Sequence, residues 1–176
     1  MNFGARAKLY ARAGRIDGWD GIAFGRVGGA LYQFIEKTVD HYMTRDVKTV
    51  SRDVTMDKLN SLFAGDDFNA YPVIEDTQIV GMVTKFDFLK CFALTLNSMV
   101  PRYDDLMKRT VSDVMINEFI YVGATTKLVR VLQLMVEHRL RSIPVLGSGQ
   151  RLIGIISRED IMRALRDCTA CKPSTS

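Results

Sequence analysis

The sequence of 176 residues contains little of several residue types on which whole classes of protein depend. It has three cysteines, two histidines and one tryptophan. Three cysteines are too few for a disulfide framework, which indicates a reducing compartment, so we expect a cytoplasmic protein. No apolar run approaches the roughly 18 residues that a membrane span needs. Nothing near Met1 has the order of a secretory signal.

Signatures of catalysis and metal binding are equally scarce. There is no Walker, G-x-G-x-x-G or G-x-S-x-G pattern, and no nucleophile-base constellation. Cys168 and Cys171 form a C-x-x-C near the end of the chain, but a structural zinc site needs four ligands, and His41 and His138 lack a matching spacing. We therefore expect no enzyme, no metal and no resident cofactor. A reduced, flexible tail is the simpler interpretation of the cysteine pair, and redox or metal chemistry is the alternative.

Charge is low and unevenly distributed. The chain carries 24 basic and 20 acidic side chains, and its 25% charged and 9% aromatic residues exclude collagen, wholesale disorder and a nucleic-acid-coating protein. Residues 1–38 hold six basic and three acidic side chains and seven of the 13 glycines. We interpret this head as a solvated or dimer-capping arm, with contact to an anionic membrane or nucleic acid as the alternative. Residues 30–37 predict a short amphipathic helix.

An internal repeat dominates the remaining sequence. Sliding the chain by 72 positions aligns residues with strong packing or backbone demands: Val39 with Val111, Met43 with Met115, Val50 with Val122, Leu62 with Leu134, Pro72 with Pro144 and Val73 with Val145. After one inserted residue in the turn that ends at Arg151, an offset of 73 aligns the closing motifs: Gly81 with Gly154, Thr84 with Ser157 and Asp87 with Asp160. A repeat of this length predicts two copies of one supersecondary unit.

Each copy predicts the order β-α-β-β-α from hydrophobic periodicity. The first helix of each copy can begin at Asp53 or Thr55, and at Thr125 or Thr126. The expected strands span 47–50, 71–74 and 79–83 in the first copy and 119–122, 143–146 and 152–156 in the second. The expected closing helices span 86–96 and 159–166.

One such unit alone buries too little surface to be stable, so we expect the two copies to pack against each other about a pseudo-two-fold axis. The predicted fold class is α/β (α+β). The expected segments are an N-terminal extension (1–38), the two repeats (39–98 and 111–167), a connection between them (99–110) and a flexible tail (168–176). Within the connection, Leu106 and Met107 are expected to pack a short helix against the second unit.

The ordered motifs resemble a tandem pair of CBS domains, also called a Bateman module. Tyr-Pro-Val-Ile at 71–74 and Ile-Pro-Val-Leu at 143–146 precede the closing motifs Gly-Met-Val-Thr-Lys-Phe-Asp at 81–87 and Gly-Ile-Ile-Ser-Arg-Glu-Asp at 154–160. Each motif alone is weak, but the ordered set occurs twice. The resemblance covers about residues 39–167 and leaves out the head.

This resemblance implies a regulatory module that binds adenosine-containing ligands, usually AMP, ADP or ATP and sometimes S-adenosylmethionine, between the paired motifs. It also implies that Thr84 and Asp87, and Ser157 and Asp160, hold the ribose. A strand that ends in Thr or Ser and turns into a helix presents a hydroxyl, free N–H groups and the positive end of the helix dipole, which suits an anion. The alternative is that these residues only cap the helix.

The two clefts are expected to differ in phosphate binding. Resemblance to AMP-binding members points to Arg141, with Arg139 and His138 just upstream, whereas the first repeat has Asn69 and Ala70 at the equivalent places. Lys85 and Arg158 are further candidates, and solvated surface side chains are the alternative. The expected adenine slot is apolar, and its candidates are Val47, Tyr71, Ile74, Phe119, Ile143 and Leu146.

The resulting functional hypothesis is a regulatory module that senses adenine nucleotides, pairs as a homodimer and signals by a conformational change to an unidentified protein target. The alternative is a ligand-free dimerisation scaffold. Nucleic-acid binding through the head is a third, less favoured hypothesis, and it predicts a steep dependence of affinity on salt.

Overall fold

The computed structural model describes residues 29–93 and 102–170. The expectations for residues 1–28, for the C-terminal part of the first closing helix and for Cys171 lie outside the described residues. The described helices are α1 (Gly29–Glu36), α2 (Met56–Gly65), α3 (Lys85–Lys90), α4 (Tyr103–Lys108), α5 (Leu128–Glu137) and α6 (Arg158–Ala170). The described strands are β1 (Ala70–Glu75), β2 (Gln78–Thr84), β3 (Ser142–Leu146) and β4 (Leu152–Ser157). Among the described residues, no helix is long and apolar enough to cross a membrane.

The strands form two antiparallel hairpins, one in each repeat. Strand β1 pairs with β2 so that Tyr71 lies opposite Val83, and β3 pairs with β4 so that Ile143 lies opposite Ile156. The strands expected at 47–50 and 119–122 are reduced to single parallel bridges, from Val50 to Val73 and from Val122 to Val145. In the first repeat, residues 46–48, which precede Val50, line a cleft instead of pairing in the hairpin.

Each repeat sends its leading segment onto the hairpin of the other repeat. Thr44, which precedes the first hairpin, bridges to Ile155 in β4, and Ile116 bridges to Met82 in β2. These two bridges are equivalent under the offset that relates the repeats. The exchange of segments ties the two copies into one body and explains why neither copy completes its sheet alone.

The pseudo-two-fold axis is marked by an antiparallel bridge between Gln78 and Arg151. These residues occupy the same position in the two repeats, because each follows the turn of its hairpin. A residue can meet its own counterpart only where the symmetry axis passes between them. The predicted packing of two β-α-β-β-α units about such an axis is therefore confirmed.

The helix that precedes each repeat also packs against the other repeat. Helix α1 packs against α5 and α6, and Phe34 lies in the hydrophobic core of the second repeat. Its counterpart α4 packs against α2, and Met107 lies in the core of the first repeat. The expectation that α4 packs against the second unit was therefore wrong. Helices α1 and α4 thus occupy equivalent positions before the two repeats.

Two sequence-predicted caps have different outcomes. Oγ1 of Thr55 accepts a hydrogen bond from the backbone N–H of Lys58 at 3.3 Å, so Thr55 caps α2 as expected. In the second repeat, α5 begins after Lys127 without a side-chain cap. Oγ1 of Thr126 accepts instead from the N–H of Gly123 at 3.1 Å. This local turn bond uses the hydroxyl that would otherwise cap the helix.

Candidate functional site

The second closing motif fixes a buried carboxylate at the start of α6. Asp160 is only 4% exposed, and its Oδ2 accepts hydrogen bonds from the backbone N–H and from Oγ of Ser157, both at 2.8 Å. Its Oδ1 accepts from Nη2 of Arg163, also at 2.8 Å. The backbone N–H of Asp160 in turn donates to Oγ of Ser157 at 3.3 Å. This reciprocal pattern holds both side chains in one orientation.

The first closing motif repeats this arrangement at α3. Oδ2 of Asp87 accepts from the N–H of Thr84 at 3.1 Å and from its hydroxyl at 2.6 Å, and the N–H of Asp87 donates back to Oγ1 at 3.1 Å. Lys90 Nζ lies 3.6 Å from Oδ1 of Asp87. In both repeats the hydroxyl and carboxylate therefore cap a helix. Capping alone does not distinguish the two clefts.

The glycines of the closing motifs mark where the exchanged segment crosses the hairpin. A Cβ on Gly154 would lie 2.7 Å from Sδ of Met43 and 3.0 Å from the carbonyl oxygen of Thr44. On Gly81 it would lie 2.9 Å from the carbonyl oxygen of Ile116. The absence of a side chain thus permits the close approach of two backbones. This approach brings the segment after Thr44 to the cleft beside Ser157.

A cavity of about 290 Å³ lies between the repeats at this point. Its volume is at the lower end of the range of roughly 300–1,000 Å³ typical of small-molecule sites. Four residues predicted from sequence line it together: Val47, Arg141, Ser157 and Asp160. Further lining residues come from both repeats, namely Thr44, Asp46, Lys48, Asp67, Phe68, Asn69, Ala70, Pro72, Ser142, Ile155 and Glu159. One wall is thus apolar, and the rim carries charges of both signs.

Two residues expected in an adenine slot point away from the cavity. Tyr71 is 1% exposed, and its hydroxyl donates to Oδ2 of Asp66 at 2.7 Å and to the carbonyl oxygen of Leu62 at 3.2 Å. Ile143 is fully buried in the core of the second repeat. The reason is the alternation of side chains along a strand. Ala70, which precedes Tyr71, reaches the cavity in its place.

The basic residues that follow the motif hydroxyls are also held elsewhere. Nζ of Lys85 lies 5.8 Å from the ring centroid of Phe63 in a cation-π contact. Nε of Arg158 donates to the carbonyl oxygen of Leu140 at 2.7 Å. Neither residue is among those that line the cavity. Arg141 is the arginine that does.

One of the differences between the two clefts lies at an apolar position. Phe119 stands where the first repeat has Val47, and it packs with Tyr121 against a buried cluster of Ile79, Met82 and Leu146. Met82 is the counterpart of Ile155, which lines the open cavity. Phe119 therefore places a larger apolar side chain than Val47 at the equivalent position of the second cleft.

A lysine that repeat matching did not identify also lies at the cavity. Nζ of Lys48 is 2.6 Å from Oδ1 of Asp66 and 5.7 Å from the ring centroid of Phe68. The hydrogen bond from Lys48 lowers the pKa of Asp66, and the bond from Tyr71 adds to this effect. The second repeat has Ile120 where the first has Lys48, so the comparison of repeats carried no signal for this position.

Comparison with known proteins decides the family. The family model for the CBS domain matches twice, over residues 39–94 and 111–167. The chain belongs to the CBS domain family. The resemblance predicted from the closing motifs is confirmed.

Relatives of this CBS pair occur as separate proteins and as parts of longer ones. CBSX1 of Arabidopsis thaliana, a chloroplastic CBS domain-containing protein, is 30% identical over 149 residues, which is 72% of this chain and 63% of the relative. A homoserine O-acetyltransferase of Methanosarcina acetivorans is 32% identical over 139 residues, 78% of this chain but only 24% of that enzyme. The chain thus spans less than two thirds of both relatives, and it matches only the CBS portion of the enzyme.

One solved structure matches the fold of this chain over nearly the whole length of that solved structure. The crystal structure of CBSX2 in complex with AMP, from Arabidopsis thaliana, superposes with a TM-score of 0.64 at 25% identity. The match covers 75% of this chain and 98% of that one. The tandem CBS fold predicted from the sequence is confirmed.

Proposed function

We propose that this CBS pair is a regulatory module that binds an adenosine-containing ligand of the AMP, ADP and ATP class in the cavity between its repeats. One observation carries the proposal. Val47, Arg141, Ser157 and Asp160 come from separate segments of both repeats and converge on a single cavity. The AMP bound by the related CBSX2 supports the same class of ligand.

Each of these side chains suits one part of an adenosine ligand. The hydroxyl of Ser157 and the carboxylate of Asp160 are hydrogen-bonding groups for the vicinal diol of ribose. Val47, Pro72 and Ile155 supply apolar surface for the adenine ring. The guanidinium of Arg141 recognises a phosphate through charge-assisted hydrogen bonds.

Arg163 provides a route from the ligand to the packing of the repeats. Its Nη2 donates both to Oδ1 of Asp160 and, at 2.7 Å, to the carbonyl oxygen of Tyr42. Tyr42 belongs to the leading segment that the first repeat places on the second. A ligand that hydrogen-bonds to Asp160 therefore changes the hydrogen bonding of Arg163, and through Arg163 it affects the segment that joins the repeats. Signalling follows if the ligand binds the two arrangements with different affinities.

The phenylalanine in the second cleft favours a stoichiometry of one ligand per chain. Phe119 is larger than Val47, its counterpart in the first cleft, and it packs against the cluster around Met82. A ligand in the second cleft would have to displace this ring from apolar surroundings. We therefore expect a single site per chain.

Pairing of two modules is supported by exposed apolar side chains on the closing helices. Leu89 on α3 is 61% exposed, and Met162, its counterpart on α6, is 59% exposed. Apolar side chains at equivalent positions of a pseudo-symmetric module suit a homodimer interface. Light scattering on the double variant L89E/M162E tests it. The proposal requires a smaller particle than wild type, and an unchanged mass contradicts pairing through these helices.

Calorimetric titration with AMP tests the proposed function. Wild type is expected to bind close to one AMP per chain, and Asp160→Asn is expected to weaken binding at least about tenfold, a loss of ~1.4 kcal/mol. Asp87→Asn is the matched control, because it changes the equivalent carboxylate in the cleft that carries Phe119. No binding of any adenosine ligand to the wild-type dimer would support the ligand-free scaffold instead.

A further inference from the structure

The charges around the cavity are predominantly negative. Four acidic residues and two basic ones line it: Asp46, Asp67, Glu159, Asp160, Lys48 and Arg141. Two of these charges are already compensated. Lys48 is paired with Asp66 at 2.6 Å, and Asp160 is paired with Arg163 at 2.8 Å. The charge that faces a ligand is set by the other four residues.

Three carboxylates then stand against a single guanidinium. Among the described residues, Asp46, Asp67 and Glu159 take part in no ion pair within 4 Å. Arg141 donates to a neutral group, Oδ1 of Asn69. Its positive charge is therefore outnumbered at the surface of the cavity.

The nearby arginines outside the cavity donate to backbone carbonyl groups. Nη2 of Arg45 donates to the carbonyl oxygen of Asp40 at 3.3 Å, and Nε of Arg158 donates to that of Leu140 at 2.7 Å. Neither lines the cavity. Among the described residues that line the cavity, a chain of phosphates would therefore meet one guanidinium and three carboxylates that take part in no ion pair.

Two of the three rim carboxylates belong to the first cleft alone. By the repeat offsets, Arg139 stands in the second repeat where Asp67 stands in the first, and Phe86 stands where the second closing motif has Glu159, whereas the counterpart of Asp46 is the acidic Glu118. Asp67 and Glu159 thus change character between the clefts, while the helix-capping hydroxyl and carboxylate do not. These two carboxylates are therefore not required by the fold, and they distinguish the two clefts.

We propose that this acidic rim selects adenosine derivatives by charge. The cavity favours a neutral or cationic substituent on the 5′ carbon, such as a thioether or a sulfonium, over a polyphosphate. Like charges across a partly exposed cleft repel, and such repulsion discriminates between ligands that share all other contacts. AMP is intermediate, because Arg141 offsets part of its charge. This selectivity rests on the proposed binding of an adenosine-containing ligand, and it ranks such ligands by the charge on the 5′ substituent.

A titration series with graded ligand charge tests the selectivity. The probes are S-adenosylmethionine, 5′-methylthioadenosine, AMP and ATP, each without divalent cations, near neutral pH and at low salt. Affinity is expected to fall along this series, with ATP at least about tenfold weaker than 5′-methylthioadenosine. Raising the salt concentration is expected to strengthen ATP binding, because screening weakens repulsion.

The double variant D67N/E159Q supplies the decisive comparison. It is expected to raise the affinity for ATP about tenfold and to change that for 5′-methylthioadenosine less than twofold. Glu137→Gln, an exposed carboxylate outside the cavity, is the control and is expected to change neither. Circular dichroism verifies that the variants fold.

The outcomes separate this inference from the proposed function. ATP binding as tightly as 5′-methylthioadenosine, or an unchanged preference in D67N/E159Q, overturns selection by charge and leaves adenosine binding intact. Binding of none of the four ligands overturns both. Tighter binding of the uncharged or cationic ligands, reversed by D67N/E159Q, supports both.

Discussion

Nη1 of Arg141 donates a hydrogen bond to Oδ1 of Asn69 at 2.9 Å, and the two residues occupy the same position in the two repeats. The bond therefore crosses close to the pseudo-two-fold axis. It also orients the guanidinium of Arg141, which among the described residues is the one that lines the open cavity. A planar group with several donors keeps further N–H groups for a ligand after one is used in this way.

Replacing Arg141 is expected to affect phosphate recognition and little else. Arg141→Ala should weaken AMP binding about tenfold and leave adenosine binding within about twofold, because the proposed role of the guanidinium in ligand binding is to hold the phosphate, which adenosine lacks. Titration calorimetry with both ligands measures the difference. Arg166→Ala, an exposed arginine on α6 outside the cavity, is the control. An equal loss for AMP and adenosine would show that Arg141 only supports the shape of the cavity.

The motif hydroxyls allow capping to be separated from ligand binding. Thr84→Ala and Ser157→Ala both remove the acceptor of a helix cap, so each should lower the free energy of unfolding by about 1 kcal/mol. Only Ser157→Ala should also weaken AMP binding, by several-fold, because Ser157 lines the open cavity. Urea unfolding and calorimetry test the two effects separately. Equal AMP affinity in the two variants would mean that Ser157 is a cap alone.

Exchanging the apolar residues of the clefts should exchange their occupancy. Phe119→Val is expected to open the second cleft and raise the stoichiometry of adenosine from one to two per chain. Val47→Phe is expected to close the first cleft and abolish binding. Both follow from the contrast between the Phe119 cluster and the cavity beside Val47. Equilibrium dialysis counts the ligands bound. A stoichiometry of one in Phe119→Val would show that another residue blocks the second cleft.

Most of the fold could be predicted from the sequence repeat, because residues that the backbone conformation requires recur at fixed offsets. Matching of Gly81 with Gly154 and of Met43 with Met115 predicted two equivalent units. It could not reveal that each glycine lies under the methionine segment of the opposite repeat, since that contact joins residues far apart in sequence. The exchange also explains why the role of α1 was only partly predicted. Its apolar face matches a core supplied by α5 and α6.

The candidate site was predictable where a motif fixed a residue type, and less so elsewhere. The motif positions of Ser157, Asp160 and Arg141 correctly predicted that these residues line the cavity. The prediction that Tyr71 lines it was wrong, because a residue in a strand can face either side of the sheet, and only the structure determines which side faces the cleft. Lys48 and Glu159 lack chemical counterparts in the other repeat, so repeat matching could not find them.

The close approach at the first motif glycine makes a specific stability prediction. A Cβ at residue 81 would lie 2.9 Å from the backbone oxygen of Ile116, so Gly81→Ala must displace main chain. We expect a loss of about 1–3 kcal/mol in the free energy of unfolding. Gly65→Ala is the control, because it meets no atom within 4 Å at the end of α2 and should be neutral or slightly stabilising. Similar values for both variants would contradict a tight crossing at Gly81.

The hydrogen bonds to Asp66 predict how its contribution to stability depends on pH. The bond from Lys48, followed by that from Tyr71, lowers the pKa of Asp66 below its ordinary value of 3.8. Its stabilisation is therefore fully present above that value and is lost as the pH falls through the lowered pKa of the folded state. Asp66→Asn should be less stable than wild type at neutral pH, and this difference should shrink below about pH 4. Thermal unfolding across pH, with Asp53→Asn as the exposed control, measures it. A difference between wild type and Asp66→Asn that is constant from neutral to acidic pH would mean that the folded state does not favour the ionised carboxylate.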